Sequence, residues 1–80
     1  MTTRVLLFAS YAEAFGASSI ELSLDAGATV RDLLARVKAM APGHALPPAP
    51  LVAVNQRYAP PEQRLADGDE VALIPPVAGG

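Results

Sequence analysis

Thr29-Val30-Arg31-Asp32-Leu33-Leu34-Ala35-Arg36-Val37-Lys38-Ala39-Met40 is the stretch around which the rest of the chain has to be arranged. Val30, Leu33, Leu34, Val37 and Met40 recur at helical spacing, so they form one apolar stripe and turn Arg31, Asp32, Arg36 and Lys38 toward water. Thr29 followed three residues later by Asp32 resembles a capping box, with Asp in place of the usual Glu. Arg36 and Lys38 lie near the negative end of the helix dipole, and Pro42-Gly43 stops the helix. A helix with one apolar stripe needs one apolar surface to cover it.

The flanking segments supply that surface as strands. On the N-terminal side, Val5-Leu6-Leu7-Phe8-Ala9 reads as a first strand. Ser10 then caps a brief helical turn that closes at Gly16. Ile20, Leu22 and Leu24 alternate with Ser19, Glu21 and Ser23, the pattern of a half-buried strand, and Asp25-Ala26-Gly27-Ala28 is turn chemistry. On the C-terminal side, Pro42 to Pro50 is a proline-rich connection that cannot pair regularly. Leu51-Val52-Ala53-Val54 is the third strand, Asn55-Gln56 a turn, and Arg57-Tyr58 a short edge segment. Asp67-Gly68-Asp69 turns the chain into Glu70-Val71-Ala72-Leu73-Ile74, the last strand, which Pro75-Pro76 ends.

The order strand, strand, helix, strand, strand predicts an α+β chain of the β-grasp, or ubiquitin-like, kind. It has a mixed sheet of about four to five strands, with the first and last as central neighbours and one main helix on one face. Residues 1–76 are expected to form this domain, and residues 77–80 a flexible diglycine tail. One helix covers only one face of the sheet. If Val5, Leu7, Val71 and Leu73 point at the helix, then Leu6, Phe8, Ala72 and Ile74 point away from it, with Tyr58 at the edge. An apolar patch on the uncovered face is the mark of a docking surface. The alternative is that a loop such as Pro42–Pro50 wraps over it.

Composition narrows the chemistry. Eighty residues, 51% hydrophobic and 18% charged, make one folded domain rather than a disordered chain. With no cysteine there is no disulfide, thiolate metal site or cysteine nucleophile, which suits a cytoplasmic protein. Neither a signal peptide nor a membrane span is visible. The net charge is −2 and the basic residues are scattered, so protein partners are expected rather than nucleic acid. His44 is the only histidine and sits in the proline-rich loop. Asp67, Asp69 and Glu70 lack the spacing of a calcium loop, the serines lack a partnered histidine, and no glycine belongs to a phosphate-binding loop. No metal site and no bound cofactor are expected.

The closing residues remain. Val77-Ala78-Gly79-Gly80 follows a stiff Pro75-Pro76 spacer. Two glycines without Cβ atoms make a thin tip that another protein's narrow active site can accept. By elimination the Gly80 carboxylate is the expected reactive group, with Gly79 as clearance. A carboxylate becomes electrophilic once it is an acyl-adenylate, after which a sulfur or amine nucleophile can take the acyl group.

Residues 67–80, supported by Leu7-Phe8-Ala9, Glu13 and Gly16, Thr29-Val30 with Leu33-Leu34, and Val52-Ala53-Val54-Asn55, resemble the family of molybdopterin synthase small subunits. The resemblance covers essentially the whole chain. It departs at Ala12, where the family commonly has Arg before the glutamate. The resemblance implies a sulfur carrier that is not catalytic alone. An E1-like adenylyltransferase would use ATP to activate Gly80, and a sulfur donor protein would supply the thiocarboxylate. The large synthase subunit would hold the catalytic groups, in a heterotetramer of two small and two large subunits. Phe8, Tyr58, Ile74, Pro75, Pro76, Val77 and Ala78 would then be partner-binding. Two other readings stay open: a carrier for thiamine, tRNA thiolation or cysteine synthesis, or a ubiquitin-like modifier; and a β-grasp interaction domain with an idle terminus.

Overall fold

The computed structural model describes residues 1–40 and 50–75. Its elements are β1 (Thr2–Leu7), α1 (Ser10–Phe15), β2 (Ser19–Ser23), α2 (Val30–Met40), β3 (Leu51–Val54), β4 (Arg57–Tyr58) and β5 (Glu70–Ile74). The five strands form one sheet in the order β2-β1-β5-β3-β4. β1 and β5 are parallel at its centre, with Val5 opposite Val71 and Leu7 opposite Leu73, and the other pairings are antiparallel. This is the mixed sheet expected of a β-grasp fold.

Alternation along the central strands puts Val5, Leu7, Val71 and Leu73 on one face, where all four are buried. Val30, Leu33 and Val37 of α2 join them in a single cluster with Leu22, Val52 and Val54. Burial of each such side chain is worth about 1.5–3 kcal/mol. Leu34 packs at the margin of the cluster, whereas Met40, expected on the same stripe, is 45% exposed at the helix end.

The start of α2 shows how local chemistry and tertiary packing share the work. The Thr29 N–H donates to Asp32 Oδ2 at 2.9 Å and the Asp32 N–H to Thr29 Oγ1 at 3.3 Å, so the capping box forms with Asp in place of Glu. The next two helix N–H groups are satisfied from far along the chain: Val30 donates to the Gln63 carbonyl at 2.9 Å and Arg31 to the Pro61 carbonyl at 3.0 Å. Leu65, from the same irregular segment, donates its N–H to the Ala28 carbonyl at 2.8 Å and is buried in the core.

The N-terminal segment departs from expectation in two ways. β1 begins at Thr2, because Thr2 to Leu6 pair with β2, and it stops at Leu7 rather than Ala9. Ser10 does not cap α1. Ala9 holds the cap position at φ 49°, ψ −121°, with no side-chain cap hydrogen bond. At the other end Gly16 takes the left-handed conformation and donates to the Ala12 carbonyl at 2.9 Å, as a terminating glycine should. Tyr11 of α1 is buried in the core, and burial raises its phenol pKa above the ordinary value.

Two turns are held together. Asn55 and Gln56 have φ of 51° and 71°, the signs of a two-residue type I′ hairpin turn joining β3 to β4. A glutamine there costs about 1 kcal/mol, because its Cβ crowds a carbonyl in the left-handed region. Across the sheet, Gly68 at φ 88° occupies the third position of the Ala66–Asp69 turn, closed by the Asp69 N–H to the Ala66 carbonyl at 3.0 Å. Asp69 accepts from the Ala66 N–H at 2.7 Å and from Asn55 Nδ2 at 2.9 Å. Asn55 Oδ1 in turn accepts the Glu70 N–H at 3.1 Å, and the Asn55 N–H donates to the Glu70 carbonyl at 2.8 Å.

Those donors, the Ala66 N–H first and the Asn55 amide second, hold the Asp69 carboxyl below its usual value of 3.8. A carboxyl whose pKa is depressed by folding stabilises the protein above its unfolded pKa, and that contribution is lost as pH falls through the folded value. Asp69→Asn should therefore cost about 1 kcal/mol near neutrality. The gap from wild type should close as pH drops below 3.8. Urea midpoints of both proteins at about pH 7 and about pH 2.5 check it, and a gap that persists in acid would rule out the charge as its source.

Candidate functional site

The face of the sheet opposite α2 is where the sequence expected a docking surface. Register decides what lies there. Leu6 stands opposite Ala72, and Ala72 opposite Ala53; Ala53 in turn is opposite Tyr58, and Leu51 is opposite Ile74. Together with Phe8, just beyond the end of β1, these rows enclose an open depression of about 400 Å³. Leu6, Phe8, Ala53, Gln56, Tyr58, Glu70, Ala72 and Ile74 line it. Phe8 is 47% exposed and Tyr58 73%, so two aromatic rings stand in water around a floor of small aliphatic side chains. Contiguous apolar surface of this kind, rimmed by polar groups, is what protein interfaces use.

The depression joins three of the expected partner-binding residues, Phe8, Tyr58 and Ile74, which lie far apart in the chain. Pro75 follows Ile74 and is half-buried, but it does not line the depression. Pro76, Val77, Ala78, Gly79 and Gly80 lie outside the described residues. So do His44 and residues 42–49 of the proline-rich connection, the segment considered as a cover for this face.

Three residues of the site escaped sequence reasoning. Ala53 could have been found, since Val52 and Val54 are buried and the residue between them must face the other way. Gln56 and Glu70 could not, because their neighbours are set by which strand pairs with which. The same face changes character toward the start of β5. There Glu21, Arg4 and Glu70 stand side by side on β2, β1 and β5, a polar row bordering the apolar half.

The remaining sites suggested by sequence do not gather into a reactive centre among the described residues. Asp69 is committed to the turn hydrogen bonds given above. No cluster of His, Asp and Glu with metal-holding geometry occurs among the described residues. A second hollow, of about 470 Å³, lies where the β2–α2 connection meets the helix and is lined by Asp25, Asp32 and Arg36 among others. Asp32 there is engaged by Thr29 in the capping box. No helix among the described residues is long and apolar enough to cross a membrane. Ala12, where the resembled family commonly has Arg, packs its side chain against the core.

Comparison with known proteins bears on what such a face and tail do. The ThiS family model matches residues 5–80. A molybdopterin synthase sulfur carrier subunit from Chlamydomonas reinhardtii is 40% identical over the full length of both chains. One from Haemophilus influenzae is 40% identical, covering 95% of this chain and 96% of its own. Among solved structures, SAMP1 of Haloferax volcanii superposes with a TM-score of 0.83 at 31% identity and full coverage of both chains.

Proposed function

The chain belongs to the ThiS family, and from that premise we propose that it is the sulfur carrier subunit of a molybdopterin synthase. The observation that carries this reading is the end-to-end match to a relative of that name at 40% identity. The apolar sheet face adds a place for a partner to hold the carrier.

The chemistry follows from the terminal carboxylate. A carboxylate resists nucleophiles until one oxygen becomes a good leaving group. An E1-like partner transfers AMP from ATP to the Gly80 carboxylate with loss of pyrophosphate. Sulfide-level sulfur released by a donor protein then attacks the acyl carbon, AMP leaves, and a thiocarboxylate remains. Gly79 and Gly80 present no side chain to crowd the tetrahedral intermediate. The large subunit, held on the face formed by Phe8, Tyr58 and Ile74, receives the tail from Pro75 to Gly80. It contributes the catalytic groups that pass sulfur to cyclic pyranopterin monophosphate. The carrier holds no cofactor of its own, and this chemistry is expected in the cytoplasm.

The likeness to SAMP1, a small archaeal modifier protein, favours a second reading. The same adenylate attacked by a lysine amine would give an isopeptide instead of a thiocarboxylate. Intact-mass measurement of the chain isolated from its own host separates the two. A carrier shows a species heavier by the difference between one sulfur and one oxygen atom. A modifier is found covalently joined to other proteins. Neither species, together with no adenylate formed from ATP and the E1-like enzyme, would remove both readings.

A further inference from the structure

Among the described residues, Gln56 is the one that combines a strained backbone with a place in the docking depression. Three described residues other than glycine have positive φ: Ala9, Asn55 and Gln56. Asn55 fits that region by its own chemistry, and its three hydrogen bonds to Asp69 and Glu70 explain why the turn keeps its shape. Gln56 has no such reason. Glycine is the residue this second turn position favours, yet a long amide side chain stands there and lines the hollow beside Tyr58 and Glu70. Because Asn55 pins the turn to β5, the direction in which Gln56 leaves the backbone is held firm. Strain kept in place by its surroundings, at the rim of an interaction face, points to function.

We propose that Gln56 is a recognition residue of this face, whose carboxamide pairs with a main-chain peptide group of the large subunit beside the apolar contact with Phe8 and Ile74. A carboxamide offers donors and an acceptor together, matching the N–H and C=O that one residue of an extended main chain turns to the same side. Glu70 already supplies negative charge on the same rim, so a cationic partner group would pair with Glu70 and leave Gln56 for a neutral one. The proposal rests on the docking role given to this face above.

The test uses the full chain and the purified large subunit of the same organism, with affinity read by calorimetric titration and stability by urea unfolding. Gln56→Ala removes the amide and keeps a Cβ at the strained position. Gln56→Gly removes both. Each should weaken binding about tenfold, the worth of one well-made pair of hydrogen bonds. Gln56→Gly should also raise the urea midpoint, while Gln56→Ala leaves it near wild type. If neither variant loses affinity while Ile74→Lys does, the docking face stands and the role of Gln56 falls. A loss in Gln56→Ala that is absent in Gln56→Gly would also overturn the amide pairing. If the wild-type chain itself fails to bind the large subunit, the docking reading fails and this proposal falls with it.

Discussion

Deleting Gly80 should abolish sulfur transfer while leaving the fold and large-subunit binding intact. Under the carrier reading the travelling atom sits on the terminal carbonyl carbon. One residue less pulls that carbon back by up to about 3.5 Å along an extended tail. A misplacement of about 1 Å at a reacting centre already costs on the order of a hundredfold, so the truncated chain should fall below detection. Adenylation should fail for the same reason, since the partner's site must meet the carboxylate itself. The checks are the intact mass after incubation with ATP, the E1-like enzyme and sulfur donor, and product formed with the large subunit. The sheet and the Phe8–Ile74 face lie outside the deleted residue, so affinity for the large subunit should fall little. A deleted chain that still delivers sulfur would refute Gly80 as the reaction centre.

Ile74→Lys should lower affinity for the large subunit by about a hundredfold, close to 3 kcal/mol. Ile74 is the last residue of β5, half-buried, and it lines the depression together with Phe8. Leu51, its neighbour on β3, is itself exposed, so a lysine in the free chain can run its stem along the sheet and keep its ammonium in water. In the complex that ammonium would be trapped at a desolvated apolar contact, where an unpaired charge is costly. The free chain should thus stay folded, with unfolding within about 1 kcal/mol of wild type. Glu21→Gln serves as a control, because Glu21 lies on the polar row away from the depression. Equal affinities for Ile74→Lys and wild type would remove this face as the dock.

Thr3 is completely buried on β1, and its hydroxyl meets no hydrogen-bond partner among the described residues.

Much of the architecture was readable because its determinants are local. The α2 stripe, its Thr29–Asp32 cap, the Asn55-Gln56 and Asp67–Asp69 turns and the alternation within β1 and β5 each depend on residues a few positions apart. The strand limits of β3, β4 and β5 followed from the same signals. Boundaries at β1 did not, because Thr2 and Thr3 become strand through pairing with Ser23 and Leu22, which local apolarity does not announce. Leu65 was missed for a similar reason: it sits in an irregular segment whose burial comes from packing against the start of α2.

The candidate site divides in the same way. Sequence by itself determined that Leu6, Phe8, Ala72 and Ile74 turn away from the helix, since the pleat sends successive side chains to opposite faces. It also singled out Gly79-Gly80 and the family resemblance that gives them a role. Only the tertiary structure decided that Gln56 and Glu70 complete the same depression. Their meeting depends on β5 lying between β1 and β3 and on Asn55 reaching Asp69 and Glu70. Those contacts join residues distant in the chain, and they form because the whole sheet must bury one face under α2, which no short stretch of sequence can specify alone.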